Sequence, residues 1–539
     1  MKQYFVVLAA VVHAVSSPGQ LVPVWIGQSN IAGANFGRSL SHGGDVNGDG
    51  FDDILVGAHY GEKVVINEGL AYVYHGSVTG PDTTLDWIHG SGQYGAEFGW
   101  AVAGNGDLNG DGFDDVVIGA PFYDAGQTDE GAVFVFLGSP LGLGQVPSMR
   151  LEKHQANARF GSSVAIPGDV NGDGFDDVLV GAAYYDDGQV NEGAAFLYHG
   201  NSNGLDSVPS WTFQSDQGNA YAYVHRIDDV NADGFADVMI TSPLYDSGEV
   251  DEGKAFLFLG SASGPALTPQ WTFDPDDNYS YLNAAASVGD VNADGYTDVI
   301  IGAWGFGPGI GTSVGDGGVF VFAGGPAGLS SSPTWTKQEN GFGGSEYGFA
   351  AGPAGDVNGD GFADVIVGAH KWWNGQYQEG KCFVYPGSVN GVGSVPLWEQ
   401  EMDQSYANYG RAATGDLDTN GDGIPEWLIG AYGYENGHSN EGGAFLYEYA
   451  LETAIIDPAT SPMERIGLDV IIGPRGAELV ATGPEPFRLE LIDIQGRVLQ
   501  LQDFGSGTSR IHCGPVATGC YVVRVSNSSG TLVERFLIE

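Results

Sequence analysis

Short apolar runs, rather than helical stripes, pattern the first 450 residues. Asp53-Ile-Leu-Val-Gly-Ala58 and Ala71-Tyr-Val-Tyr74 are apolar at successive positions, the pattern of strands covered on both faces, and no amphipathic helix interrupts them. Around these runs one order of elements recurs. A strand centred on Trp comes first (Val24-Trp-Ile26, Asp86-Trp-Ile88, Ser210-Trp-Thr212, Gln270-Trp-Thr272, Thr334-Trp-Thr336, Leu397-Trp-Glu399), with Met149 in the third slot. An aromatic-Gly strand follows: Phe36-Gly37, Phe98-Gly99, Phe160-Gly161, Tyr347-Gly348 and Tyr409-Gly410, degenerate in units four and five. Then come an acidic loop, its apolar strand ending in Gly-Ala, and a hairpin carrying Glu-Gly at Glu68, Glu130, Glu192, Glu252, Glu379 and Glu441. Each unit thus holds four short strands, and seven such units predict a seven-bladed β-propeller over 19–449. Val24-Trp-Ile26 precedes the first acidic loop and no Trp strand follows Tyr449, so the N-terminal strand is expected to complete the seventh blade and remove the open edge.

The acidic loop reads D-x-N-x-D-G-x-x-D. Position one is Asp45, Asp107, Asp169, Asp229, Asp290, Asp356 or Asp418, at intervals of 62, 62, 60, 61, 66 and 62 residues. Position three is Asn47, Asn109, Asn171, Asn231, Asn292, Asn358 or Asn420; position five is Asp49, Asp111, Asp173, Asp233, Asp294, Asp360 or Asp422. Position nine is Asp53, Asp115, Asp177, Asp237, Asp298, Asp364 or, in the last copy, Glu426. With the backbone carbonyl of position seven (Phe51, Phe113, Phe175, Phe235, Tyr296, Phe362, Ile424) these supply the oxygen-rich shell that Ca²⁺ prefers, and Gly at position six permits the turn. An EF-hand would need an acid at position twelve; here Val56, Ile118, Val180, Ile240, Ile301, Val367 and Ile429 stand there, so the loop runs into a buried strand. Clustered carboxylates without cations would repel one another, and up to seven Ca²⁺ are expected.

Composition narrows the setting. The 539 residues carry 68 Asp and Glu against 19 Lys and Arg, a formal charge of −49, which argues against nucleic acid and anionic membrane surfaces. Residues 1–18, one Lys followed by an apolar run and small residues, read as a signal peptide, and no stretch approaches transmembrane length. The expected location is secreted or cell-surface. Cys382 sits in an apolar strand and reads as a buried free thiol; Cys513 and Cys520 could form a disulfide. After a Pro-containing linker (450–465), alternating segments over 466–539 predict a small β-sandwich.

The Phe-Gly, D-x-N-x-D-G-x-x-D and Gly-Ala-Pro elements resemble the FG-GAP repeats of the integrin α-subunit propeller and its bacterial relatives. That resemblance implies that each calcium loop joins the first two strands of a blade on the lower face. It also implies that ligands meet the opposite face, built from hairpins such as His59–Glu68. Ile492-Asp-Ile-Gln-Gly-Arg-Val-Leu499 with Gly519-Cys-Tyr-Val-Val-Arg-Val525 resembles the C-terminal sorting domain of the type IX (Por) secretion system, which implies outer-membrane secretion machinery as a partner.

Signals for catalysis are weak. Gly200-Asn-Ser-Asn-Gly204 and Gly311-Thr-Ser-Val-Gly315 match a nucleophile elbow but lie in β-loops of a chain with 88 Gly, and no acidic pair stands out for glycoside hydrolysis. The expected function is an extracellular adhesion or ligand-binding module for protein or glycan, not an enzyme; a polysaccharide-active enzyme and a purely structural surface protein are the alternatives. Departures from the repeat mark the candidate ligand residues Trp304, Lys371, Trp372 and Trp373, since indole faces stack on sugars or fill pockets in a partner.

Overall fold

The computed structural model describes residues 21–307, 315–339 and 344–449, together with the backbone of the strands between 467 and 538. Residues 1–20, which include the expected signal peptide, and the whole 450–465 linker lie outside the described residues. The chain separates into two units, Met1–Glu448 and Tyr449–Glu539.

The first unit is all-β, with no helix among its described residues and seven four-stranded antiparallel sheets. The first blade is typical: Ser39–Gly44, Asp53–Ala58, Leu70–Tyr74 and Trp87–Gly90, paired in that order. The seventh is closed as expected. Trp25–Gln28 pairs antiparallel with Gly443–Glu448, Trp25 opposite Leu446, so the two ends of the propeller share one sheet.

Why the sequence chooses blades is visible in burial. Second and third strands such as Asp53–Ala58, Leu70–Tyr74, Asp177–Ala182 and Ala194–Tyr198 are buried at every position, because the neighbouring blades cover both faces. Where a fourth strand begins with Trp, the indole reaches across to the next blade. Trp25, Trp87, Trp211 and Trp271 each meet the terminal aromatic of the following third strand (Tyr74, Phe136, Phe258, Phe322) edge-on at 4.9 Å. Their indole N–H groups donate to the carbonyls of Asp82, Gly144, Ala266 and Ser330, so a buried polar atom is satisfied at the same joint.

The Phe-Gly and Gly-Ala signatures are two halves of one contact. A Cβ on Gly57 would lie 2.1 Å from the Gly99 carbonyl oxygen of the next blade, and one on Gly119 would lie 2.1 Å from that of Gly161. Only Gly lets the backbones approach this closely. Where blade five lacks Phe-Gly, blade four also lacks the facing Gly: Thr241 stands there, and its hydroxyl donates to the Asn283 carbonyl at 3.3 Å.

In the second unit the strands form two antiparallel sheets. One is three-stranded, ordered Gly467–Gly473, Gly476–Gly483, Gly507–Cys513; the other is four-stranded, ordered Val498–Phe504, Phe487–Asp493, Gly519–Asn527, Gly530–Ile538. Their side chains, including those of Cys513 and Cys520, lie outside the described residues. Cys382 is a buried free thiol.

Candidate metal loops and ligand face

All seven acidic loops join the first and second strands of their blades, and therefore sit on one face of the propeller. In the first loop, one carboxylate oxygen of Asp45 accepts from Gly48 N at 2.7 Å and Asp49 N at 3.0 Å, and the other accepts from Gly50 N at 2.8 Å. Asp49 accepts from Phe51 N at 3.1 Å. Asp53, the first residue of the second strand, is fully buried; its two oxygens accept from Val46 N at 3.0 Å and Gly76 N at 2.9 Å. The position-nine bonds recur at Asp115, Asp177, Asp237, Asp298 and Asp364. Gly50, Gly112, Gly174, Gly234, Gly295, Gly361 and Gly423 all have φ between 78 and 92°, as position six requires.

Two features of the loops escaped the sequence reading. The ring of Phe113 packs where a side chain on Gly48 would go, 2.5 Å from its would-be Cβ, and Phe51 covers Gly421 in the same way at 2.7 Å, so position seven contributes a wedge between loops as well as a carbonyl. Position eight also bridges blades: Asp114, Asp176 and Asp52 accept from the backbone N–H of Asp45, Asp107 and Asp418 at 2.8, 2.9 and 2.7 Å. Ala236, Thr297, Ala363 and Pro425 hold that slot in the other loops, which is why the repeat concealed it.

The loops fit a hard dication by their chemistry. Burial pushes the Asp53 carboxyl up to about 8, with the Asp49 and Asp45 charges adding to it; Asp115 is pushed up to about 7 and Glu426 to about 8, again mainly by burial. A buried acid that resists ionisation beside two further acids lacks a countercharge. The Asn358 side-chain oxygen, at position three of the sixth loop, is buried without a hydrogen-bond donor. The three acids of a loop are not drawn into a tight knot, however. The one acidic group whose oxygens all lie within 4.8 Å of one another, among the described residues, is Glu252, Asp274 and Asp276, outside the loops. In the third loop His199 adds a contact to Asp177 at 3.1 Å.

On the opposite face the candidate ligand residues divide. Trp372 turns inward, packing against the core around Phe383 under the Lys381 ammonium (5.0 Å from its ring), the slot that Tyr123, Tyr185 and Tyr245 fill in other blades. Trp373 is 42% exposed. Lys371 is bound to Glu346 at 2.5 Å, and Trp304 stacks flat on Tyr281 at 4.3 Å. The first nucleophile-elbow match forms a small hairpin, Gly200–Asn201 with Gly204–Leu205, with no helix after it; most of the second lies outside the described residues.

Comparison with known proteins matches this geometry. The FG-GAP repeat model fits residues 36–74, 98–136, 160–198 and 348–377. Integrin alpha-5 of Xenopus laevis is 28% identical over 263 residues, 47% of this chain and 24% of the integrin. Integrin alpha-PS5 of Drosophila melanogaster is 35% identical over 189 residues, 33% of this chain and 18% of its own length. The chain therefore spans about a fifth of the length of these relatives. Among solved structures, PorZ, titled a bacterial surface component of the type-IX secretion system of Porphyromonas gingivalis, aligns over 93% of this chain and 59% of its own, at 12% identity and a TM-score of 0.39. The first unit of this chain is a seven-bladed β-propeller of FG-GAP repeats with integrin α chains among its homologues.

Proposed function

We propose that this chain is a secreted, calcium-stabilised propeller that binds an extracellular protein or glycan through the face opposite its acidic loops, acting by adhesion or recognition and not by catalysis. The observation that carries the reading is the division of labour between the two faces. Seven near-identical loops on one side repeat the same carboxylate and amide oxygens, whereas the opposite hairpins vary from blade to blade. Positions one, three, five and nine, with the carbonyl of position seven, would hold Ca²⁺; the ion would supply the positive charge that the buried position-nine acids lack. The chain itself fixes those acids by backbone N–H bonds, so a loaded loop would anchor the start of each second strand. The integrin relatives support an extracellular setting. The C-terminal unit we assign, from its sequence resemblance, to sorting at the outer membrane, and residues 1–18 to export.

The test is direct. Calcium should bind the full chain, raise its melting temperature and do so reversibly with chelator, and an array of glycans and extracellular proteins should yield a ligand. A melt that ignores both calcium and chelator, with no calcium found by metal analysis, would sink the calcium half. Capture of nothing on the array would count against recognition.

A further inference from the structure

The described residues of the propeller contain five arginines, and they fall into two groups. Arg150 pairs with Glu152 at 3.3 Å, and Arg226 with Asp228 at 3.4 Å. Arg38, Arg159 and Arg411 pair with no carboxylate among the described residues; each lies on an aromatic ring instead. The Arg38 guanidinium sits 4.8 Å from the Trp100 ring, Arg159 sits 4.0 Å from Tyr184 and 4.7 Å from Phe122, and Arg411 sits 3.7 Å from Phe349. In a chain with more than three acids for every Lys or Arg, three half-buried guanidiniums without an acid are improbable by chance.

They also converge. Arg38 and Arg159 immediately precede the inner strands of blades one and three, and Arg411 lies at the start of that of blade seven. All three stand at the end of the strand away from the acidic loops, hence at the upper mouth of the axial channel. Rings link them: His59 meets Trp100 at 5.3 Å, Trp100 meets Phe122 at 6.0 Å, Tyr184 meets Tyr221 at 4.6 Å, and Phe349 meets His370 at 4.6 Å. Charge sensing across blades agrees: burial, then Arg38 and Arg411, hold His59 far below its ordinary range, and burial, then Arg38, lower Arg411.

The backbone presents part of this belt. The residue before each inner aromatic or its replacement (Asn35, Glu97, Arg159, Tyr221, Tyr281, Glu346, Asn408) has φ between 51 and 62° in all seven blades, a conformation that L side chains seldom adopt. The turn recurs in every blade, and in blades three, four and five it carries Arg159, Tyr221 and Tyr281. Two acids share the mouth and neither satisfies the arginines. Glu346 is engaged by Lys371 at 2.5 Å and His370 at 3.3 Å, and Glu97 is pushed up to about 7 by burial despite Arg38 and Arg159.

We propose that this mouth binds an acidic carbohydrate, its carboxylate held by the unpaired guanidiniums and its ring faces stacked on the surrounding aromatics. Guanidinium offers a planar, two-pronged match to a carboxylate, and flat rings match the C–H face of a sugar. The proposal rests on the recognition role argued above and names its ligand class and subsite.

Full-length protein, held in millimolar calcium, should be titrated by calorimetry with trigalacturonate, with maltotriose as the neutral control and triaspartate as the acidic peptide. Trigalacturonate should bind, more weakly as salt rises, and Arg38→Gln and Arg411→Gln should each weaken it by about tenfold or more. If either Gln variant fails to fold, Arg38→Lys and Arg411→Lys, which keep the charge and lose the fork, should still weaken binding. Maltotriose should not bind, and triaspartate should bind less tightly than trigalacturonate. The proposal is overturned if trigalacturonate does not bind, if folded variants bind it as the parent does, or if triaspartate binds more tightly. A ligand captured on the array whose binding ignores Arg38 and Arg411 would refute this subsite and leave the recognition role intact; capture of nothing at all would refute both.

Discussion

Stripped of metal, the protein should become more stable as pH falls from 8 to 6.5. At position nine, Asp53 is fully buried and burial pushes its carboxyl up to about 8 from its ordinary 3.8. An acid whose folded pKa is raised opposes folding wherever the unfolded chain would ionise it more readily, so its penalty grows with pH above 3.8 and levels off above 8. By linkage Asp53 alone costs about 4 kcal/mol at pH 7, and acidification from 8 to 6.5 recovers about 1.6 kcal/mol of it. Glu426, also raised to about 8, contributes similarly; Asp115, Asp237 and Asp364, each raised to about 7, contribute about 0.8 kcal/mol apiece. Added as independent sites these reach about 6 kcal/mol, or roughly 6 °C in melting temperature for a propeller of this length. Calcium should reverse the trend, because the bound ion needs the ionised carboxylates and acid displaces it. His59, His225 and His370, held neutral by burial, begin to oppose folding as pH nears their ordinary 6.5 and together take back about 1 kcal/mol at the acid end of the window, too little to reverse the rise. Calorimetric scans at four pH values, in chelator and in calcium, decide the matter. A chelated protein whose melt is flat or falls on acidification would show that the position-nine acids are not held against their charge.

Three other outcomes are expected. Trp87→Ala, which removes the edge contact to Phe136 and the bond to the Gly144 carbonyl, should destabilise the propeller by about 3–5 kcal/mol in denaturant titration, with a smaller loss for Trp87→Phe. Trp372→Ala should lower the melting temperature because its ring fills a slot against the core, whereas Trp373→Ala, at 42% exposure, should leave the melt unchanged; equal effects would contradict the inward placement of Trp372. If the C-terminal unit is a sorting signal, removing residues 463–539 should leave a propeller with an unchanged melt that its host retains in the cell envelope, and normal secretion would reduce the unit to an accessory domain.

The blades were legible in the sequence because a propeller repeats one local problem seven times. Every second strand must be apolar on both faces, every joint needs a Trp or Met, and every crossing of Phe-Gly with Gly-Ala needs two bare backbones. Those demands act within one unit or between adjacent ones, so they surface at a fixed interval. Closure was legible for the same reason, since Val24-Trp-Ile26 was the one Trp strand without a blade before it. The first partners that escaped were those that a consensus discards. Asp52, Asp114 and Asp176 clamp the preceding blade's loop through position eight, but only three of the seven copies carry the acid, so the repeat treats it as noise.

The axial arginines escaped for a deeper reason. Arg38 and Arg411 share the slot after the Phe-Gly and Tyr-Gly signatures, six blades apart, while Arg159 takes the slot before Phe160-Gly161, and Trp100, Ser162 or Phe349 stands in the first slot elsewhere. No consensus position connects the three. Only ring closure, which brings blade seven against blade one, sets Arg411 where it can depress its neighbour's titration and be depressed by Arg38 in turn. A repeat fold thus writes its architecture in what the copies share and its recognition chemistry in where they differ, and the differences acquire meaning at the axis, the one place where all seven copies meet. The tryptophans singled out from the sequence illustrate the same rule. Trp372 departs from the repeat in identity but keeps the packing slot of Tyr123, whereas Trp304 departs in identity and lies in register with His59 and His370, against Tyr281 near the channel mouth. Identity alone could not separate the two; position relative to the axis does.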